Sequence, residues 1–421
     1  MLVEFRVKNF RSLRDEQVLS LVASTTDKAL REANTMPSGV RAAPLILRSA
    51  VIYGPNAGGK SNLVKALQYM RGVVVESASV VQPGQALNVQ PFRLDTESIA
   101  QPTEFEATFV LDGVRYQYGF ALTSGRVINE FLLVYKAFKP QQWFVRKYDS
   151  ATDKDIYEFG PSLKGQKSLW EGATRPNSLF LSMAVQLNSE QLRPIFDWFT
   201  SKLAIFNDIS PLNPQFSVEL LRHPEGKRAI CDFLVAADIS IVDINVLSRK
   251  IMARSISFDL STGVKKDDIE EQKVDELQFH HVTDKGKAVF GLGEESSGTQ
   301  RLFYLTGPIM DMLDNGRTLI VDELDSSLHP LLVRRLVELF HNPEINNKGA
   351  QLIFSTHDTS LLDRELFRRD QIWFVEKDQD QASKLYPLSD FSPRNKEALE
   401  RGYLLGRYGA LPFFSEWKKV N

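Results

Sequence analysis

The spacing of apolar positions switches repeatedly between a period of two and a period near 3.6, and each switch predicts an element. Met1 to Phe10 alternates apolar and polar, and residues 1–23 read as two strands around Asn9-Phe10-Arg11-Ser12. Their apolar positions are Leu2, Phe5 and Val7, then Val18, Leu19, Leu21 and Val22. The polar stretch Ser24 to Arg41 reads as loop, and Ile46 to Tyr53 as a buried strand. Leu63, Ala66, Leu67 and Met70 then fall on one face of a helix. From about Val80 to Tyr157 the pattern is β. Thr103 to Leu111 and Val114 to Leu122 flank Asp112-Gly113, a hairpin signal, and Phe131 to Tyr135 and Trp143 to Tyr148 add strands. Residues 178 to about 240 read as helical. Leu187 to Glu190 offers a cap for the face Leu192, Ile195, Phe196 and Phe199, and a second helix spans Pro224 to Ala237. Ile241 to Leu260 and Leu277 to Val289 read as strands separated by a solvated loop at Lys265 to Lys273. Thr318 to Val321 and Ala350 to Thr356 read as buried strands around a helix from Leu331 to Phe340. No apolar heptad is sustained between residues 62 and 295, which argues against a long coiled coil, and no solenoid period appears.

At 421 residues the chain exceeds the roughly 250–300 residues at which single cores stop growing, so two lobes are expected. Hydrophobic content of 43% and charged content of 25% are those of a soluble globular protein. A net charge of -2 gives no argument for a nucleic-acid partner. The single cysteine, Cys231, excludes an intramolecular disulfide and reads as core. No signal-peptide core and no run of about 18 apolar residues is visible. A cytoplasmic protein without membrane contact is therefore expected.

The chemistry begins at Gly54-Pro55-Asn56-Ala57-Gly58-Gly59-Lys60-Ser61, a G-x-x-x-x-G-K-S run between strand and helix. In that context the glycines let backbone N–H groups wrap a phosphate chain, the helix N-terminus adds partial positive charge, Lys60 reaches the β/γ-phosphates and Ser61 ligates Mg²⁺. A glycine-rich turn that happens to contain Lys-Ser is the bland alternative. Further on, Ser296-Ser297-Gly298-Thr299-Gln300 opens an apolar helix, either as a second anion site or as a plain N-cap. Asp322 and Glu323 end a buried strand. Ionised groups there need partners; Asp322 would hold the metal and Glu323 would polarise the attacking water, unless both simply reach solvent. His357, at the end of another strand, would contact a γ-phosphate or its attacking water, or is a satisfied structural histidine. Asp232, Asp238 and Asp243 read as caps or exposed acids rather than metal ligands.

In this order the motifs resemble those of the ATP-binding-cassette ATPases, in the branch that includes SMC and double-strand-break-repair heads. Asn9-Phe10-Arg11-Ser12 resembles the N-terminal strand motif and Gly54 to Ser61, with Asn62 following, Walker A. Ser296 to Gln300 resembles the signature, with Ser296 and Thr299 where transporters usually have Leu and Gly. Leu319 to Glu323 resembles Walker B, Asp325 to Pro330 the D-loop, and His357 the switch histidine. The Q-loop is assigned to Gln186, as a further nucleotide and metal contact, with Gln90 as runner-up. The resemblance implies an α/β ABC-ATPase head, a mixed β-sheet plus P-loop core carrying an inserted β-rich and helical lobe. The divisions are 1–75 and 290–375 for the ATPase core, 76–289 for the insert and 376–421 for a C-terminal extension. It also implies ATP and Mg²⁺ as cofactors and Glu323 and His357 as catalytic residues. Asn9, Arg11, Ser12, Gly54 to Asn62, Gln186, Ser297, Gly298, Thr299 and Asp325 would contact nucleotide, and Ser61, Asp322 and Gln186 the metal.

More narrowly, Asn9 to Ser12, Arg48 to Ser61 and the tail Ser389 to Pro412 resemble stand-alone Rlo-type ATPases found beside prokaryotic restriction and anti-phage defence genes. The implied protein is an ATPase that closes head to tail on two ATP molecules as a homodimer or higher oligomer and governs a separately encoded effector, a nuclease or toxin. A DNA-repair or chromosome-associated ATPase acting directly on nucleic acid is the alternative. A transporter subunit is disfavoured by the long insert between the phosphate loop and the signature.

Overall fold

The computed structural model describes residues 1–421 except 138, 208–213, 237–238, 259–264, 327, 392–397 and 412–421. Asp238, the Ser327 position of the D-loop and parts of the Ser389–Pro412 tail therefore lie outside the described residues. The chain forms two compact units, one of Met1–Asp208, Asp311–Ser326 and Val333–Asn421, the other of Ile209–Met310 and Ser327–Leu332.

The larger unit begins with the two expected strands, β1 (Leu2–Lys8) and β2 (Gln17–Ser20). The segment expected as loop contains a short helix α1 (Arg31–Asn34) and strand β3 (Thr35–Pro37), paired with β4 (Leu45–Leu47). The strand expected over Ile46–Tyr53 is broken at Arg48, so β5 is Ser49–Tyr53. Arg48 leaves the strand because its buried side chain donates to the Asn346 carbonyl (2.7 Å) and the Thr35 carbonyl (3.3 Å). Helix α2 (Lys60–Glu76) buries Leu63, Ala66, Leu67 and Met70 as the spacing predicts. After α3 (Thr96–Ala100) come β6 (Thr103–Leu111), β7 (Val114–Leu122), β8 (Val127–Tyr135), β9 (Gln141–Asp149) and β10 (Lys154–Phe159). Between β6 and β7, Asp112 and Gly113 have φ of 50° and 72°, the left-handed pair that a two-residue hairpin demands.

Residues 167–206 follow as α4 (Lys167–Ala173), α5 (Phe180–Gln186), α6 (Arg193–Asp197), a π-turn at Trp198–Lys202 and β11 (Leu203–Phe206). The cap expected within Leu187–Glu190 is not made; α6 opens after Leu192 with no side-chain cap. Strand β11 interrupts the stretch expected as helical, recruited by β15, described below. Fully buried Glu130 on β8 anchors α5 by accepting the N–H groups of Phe180 (2.6 Å) and Leu181 (3.0 Å). Arg146 on β9, equally buried, stands 3.8 Å from it and bonds Asp155 and the Ser178 carbonyl.

The smaller unit holds α7 (Gln215–Leu221), α8 (Pro224–Ala236) and a three-stranded antiparallel sheet, β12 (Ile241–Phe258), β13 (Lys265–Thr283) and β14 (Gly286–Gly291). The polar run Lys265–Lys273 is strand, not loop: its backbone pairs with β12 out to Phe258↔Lys265. Charge spread through the run hid a ribbon whose stability comes from cross-strand pairing rather than from an apolar face. The strand expected over Leu277–Val289 turns back at 284–285 and becomes the ends of β13 and β14. Cys231 is half-buried. Helix α9 (Ser297–Asn315) opens in this unit, where Phe303 packs edge-on against Phe279 and Ser217 donates to the Phe303 carbonyl.

The chain then supplies β15 (Thr318–Val321), α10 (Pro330–His341), β16 (Gln351–Ser355), β17 (Ile372–Lys377), β18 (Ser383–Pro387) and α11 (Leu399–Leu404). Beside the β3–β4 pair, the described residues of the larger unit thus form two large sheets: an antiparallel one ordered β10-β9-β8-β7-β6-β1-β2, and β11-β15-β16-β5-β17-β18, parallel except at β18. Buried Gln351 ties them together. Its amide oxygen accepts the Leu2 N–H (2.6 Å), and its NH₂ donates to the Leu2 and Leu47 carbonyls (2.9 and 3.2 Å). One buried cluster joins Phe5, Phe105 and Phe109 of the first sheet, Leu63 and Leu67 of α2, and Ile320 and Ile353 of the second. This is the α/β class expected, a P-loop core beside a mixed set of strands, and the described residues contain no long coiled coil. No helix among them is long and apolar enough to cross a membrane.

Candidate nucleotide site

Parallel strands converge their C-terminal ends on one edge, and ligands of open α/β sheets bind there. Strand β5 delivers Gly54 to that edge. A Cβ at Gly54 would overlap the Val375 carbonyl oxygen of β17, and one at Gly59, whose φ is 125°, would overlap Ser383 Oγ. These positions therefore accept glycine alone, and the loop is pressed against β17 and β18 as it turns into α2. Ala57 also has positive φ, 60°. Lys60, buried at the first position of α2, donates from Nζ to the carbonyls of Gly54 (2.8 Å) and Pro55 (3.3 Å). Burial holds its pKa below the usual lysine value, against the opposing pull of Asp322, Glu323 and Asp325. Three carboxylates thus face the loop lysine.

Strand β15 presents those carboxylates. Asp322, 6% exposed, accepts from Ser355 Oγ at 2.5 Å. Glu323 has φ 52°, its N–H donates to the same Ser355 Oγ (2.8 Å), and its side chain is about half exposed. Asp325 accepts the His357 N–H (3.1 Å) through one oxygen, while its other oxygen is buried without a hydrogen-bond partner. His357 Nε2 lies 4.0 Å from Glu323 Oε1. Burial first, then the charge of Lys60, lower the His357 pKa below the usual 6.5 despite the neighbouring acids, so the ring is neutral at pH 7. Beneath it, Tyr53 at the end of β5 donates to the Asp358 carbonyl (3.1 Å).

The N-terminal motif divides by role. Asn9 is 2% exposed and its amide is committed, donating to the carbonyls of Ser98 and Gln101 and accepting the Phe92 N–H. Ser12 instead meets the loop: its Oγ accepts from Asn62 Nδ2 (2.7 Å) and pairs with Ser383 Oγ (2.8 Å), to which the Ser12 hydroxyl donates because the Ser383 proton goes to the Gly58 carbonyl. Ser383 was not singled out from the sequence. It also packs against the Gly58 carbonyl at 2.6 Å and buttresses the phosphate loop from β18. The Arg11 N–H donates to the carbonyl of Gln90 (2.8 Å). Gln186 lies elsewhere. It is exposed at the end of α5 beside Val75, Ala78 and Ser79, at the opposite end of α2 from Lys60 and about 25 Å along that helix. Gln90, the runner-up, is the glutamine brought to the Arg11–Ser12 turn.

The signature stretch lies in the smaller unit. Ser296 Oγ accepts the Thr299 N–H (3.1 Å) and pairs with Thr299 Oγ1 (2.8 Å), so Thr299 is committed to an N-cap. Ser297 is exposed in the first turn of α9 and Gly298 half-buried.

A cavity of about 1220 Å³ opens on the outer side of the phosphate loop, lined by Gly54 to Gly58, His357, Glu376, Lys377, Asp378 and Tyr403. The C-terminal segment forms its far wall: Tyr403 lies 5.9 Å from Tyr53 and 5.4 Å from Phe374, and the Ala410 N–H donates to Glu376.

The donor set fits a nucleotide carried with magnesium. Ser61 and Asp322 supply one hydroxyl and one carboxylate, the sparse protein ligation that magnesium takes when phosphates and waters complete its shell. No cluster of three or more His, Cys, Asp or Glu side chains able to hold a metal alone occurs among the described residues.

No match was found among curated proteins. Among solved structures the chain is similar to an Smc head bound to the C-terminal winged-helix domain of ScpA, at 14% identity over 92% of this chain and 97% of that one, with TM-score 0.40. It is also similar to an Smc head with an extended coiled coil bound to the C-terminal domain of ScpA from Pyrococcus furiosus, at 12% identity over 96% and 98%, with TM-score 0.36. The likeness is loose at these scores, and the fold assignment rests on the sheet order instead. Residues 49–363 match the family described as "AAA domain, putative AbiEii toxin, Type IV TA system", a span that takes in Gly54–Ser61, Asp322, Glu323 and His357, and the chain belongs to that family of ATPases.

Proposed function

We propose that this chain binds and hydrolyses ATP with magnesium, that two copies close head to tail on two nucleotides, and that the closed state governs a separately encoded effector in prokaryotic anti-phage defence. The observation that carries the catalytic part is the convergence of Lys60, Asp322, Glu323, Asp325 and His357 at one sheet edge. Magnesium, when bound with ATP, neutralises charge on the β- and γ-phosphates. The chain's own residues do the rest. Lys60 leaves the Gly54 and Pro55 carbonyls for phosphate oxygens, and the loop N–H groups orient the chain of phosphates. Glu323, exposed and 4.0 Å from His357, accepts the proton of the attacking water. The neutral imidazole can donate one hydrogen bond toward the γ-phosphate side.

The dimer rests on resemblance: exposed Ser297, with half-buried Gly298 beside it, opens a helix of the kind that closes over a partner's nucleotide. The defence role is supported by the family description, which names a toxin–antitoxin system, and by the N-terminal, phosphate-loop and tail motifs. The test is magnesium-dependent phosphate release by purified protein, with sedimentation of the Glu323→Gln variant with and without ATP and a tagged pull-down from the native host. No ATP-dependent phosphate release would overturn the enzymatic reading. A monomer at saturating ATP would overturn the dimer, and steep salt-sensitive DNA binding without a protein partner would favour direct action on DNA.

A further inference from the structure

Ser355 occupies the last position of β16 and is fully buried. Its hydroxyl makes two bonds at once, donating to Asp322 Oδ1 (2.5 Å) and accepting the backbone N–H of Glu323 (2.8 Å). Its carbonyl accepts the Leu324 N–H (3.1 Å). A serine hydroxyl has one proton to give, and here that proton goes to a carboxylate expected to face the metal. The consequences differ for the two acids. Asp322 has one oxygen tied by a short bond, which fixes its plane and leaves Oδ2 for ligation. Glu323 is held in a left-handed backbone conformation, φ 52°, which a non-glycine residue adopts only when its surroundings impose it. That conformation turns the chain at the strand end and leaves the Glu323 side chain exposed toward His357.

We propose that Ser355 is the positioning residue of the nucleotide site: one hydroxyl orients the metal-ligating carboxylate and aims the general base. The proposal rests on the ATPase reading above and adds a residue that neither the motifs nor the family match assigns. Its mode of action is indirect, through Asp322 and Glu323, so its loss should leave the phosphate contacts of Lys60 and the loop intact.

The experiment compares wild type, Ser355→Ala and Ser355→Thr. Binding of a fluorescent ATP analogue is titrated with and without Mg²⁺, and kcat, KM and thermal midpoint are measured alongside. Partners that orient metal ligands are worth about 10–100-fold in metal affinity or activity. Ser355→Ala should therefore lose about 10-fold or more of the magnesium-dependent gain in nucleotide affinity and a comparable factor in kcat. Its metal-free affinity should stay within about 2-fold, a change too small to signal a disturbed loop. Ser355→Thr keeps the hydroxyl at a strand position that tolerates β-branching and should recover most of both losses. An alanine variant with wild-type magnesium dependence and kcat would overturn the proposal. So would one whose metal-free binding falls as far as its metal-dependent binding, because the role would then be structural. If wild type binds no ATP under either condition, the ATPase reading itself fails and Ser355 falls with it.

Discussion

The imidazole of His357 stands 4.0 Å from the Glu323 carboxylate, and the backbone N–H of that histidine is held by Asp325. Of these two acids the ring itself lies beside Glu323, and burial and then the charge of Lys60 lower its pKa below the usual value. Glu323→Gln removes the proton acceptor while keeping shape and the bond from its N–H to Ser355. Hydrolysis should fall by about 10²–10⁴-fold, with nucleotide affinity retained. Single-turnover phosphate release alongside equilibrium binding checks this; a variant turning over at the wild-type rate would assign the base elsewhere.

A shared site makes a prediction about mixtures. Lys60→Ala removes the loop cation and Ser297→Arg blocks the start of α9, and each chain alone should be inactive. Mixed in equal amounts, heterodimers hold one intact composite site of two, so a fraction of wild-type hydrolysis should return. A mixture as inactive as its components would count against sharing between copies.

Ser383 offers a milder test. Ser383→Ala deletes its contacts with Ser12 Oγ and the Gly58 carbonyl, while β17 still supports the loop through Val375. Nucleotide affinity should weaken by about 0.5–1.5 kcal/mol, the usual net worth of a hydrogen bond. Calorimetric titration reads this directly, and unchanged affinity would mean that β17 alone shapes the loop.

A pH effect should come from His341, buried behind β5. Ser49 Oγ lies 2.7 Å from its Nε2 and Gln371 Nε2 3.4 Å away. Gln371 Nε2 also donates to Ser49 Oγ (2.8 Å), leaving the serine proton for the ring. Burial and nearby Arg48 lower the His341 pKa from 6.5 to about 3. Between those values the unfolded chain takes up a proton that the folded one refuses. The contribution is therefore complete above pH 6.5 and is lost as pH falls toward 3, at about 1.4 kcal/mol per pH unit. Urea midpoints at pH 7.5 and 5.5 should move less in His341→Gln than in wild type; equal movement would place the titration elsewhere.

Much of this site was legible because its residues carry their reasons locally. Gly54 to Ser61 and the carboxylates ending Thr318–Val321 are strand-end chemistry that spacing exposes. Ser355 and Ser383 were not legible as site residues, since a serine in a strand becomes informative only when the neighbouring strand is known. Asn9 looked like a nucleotide contact because its motif adjoins the site, yet its amide is used up bracing residues 92–101. Gln186, assigned to the Q-loop, is placed by the fold at the far end of α2. The β12–β13 ribbon was half missed because backbone pairing, not apolar periodicity, defines its outer length.

Strand β5 has β16 on one side and β17 on the other. Both neighbours lie about 300 residues downstream, so the strand carrying the phosphate loop has no local partner and waits on loop closure of most of the chain. A ribosome that has made Lys60 and Ser61 has not yet made either strand that flanks β5. Nucleotide binding thus becomes a late event in the life of each molecule, and a product truncated before β16 lacks both flanking strands of the loop. The loop's flanking strands, in effect, certify that synthesis has passed β17.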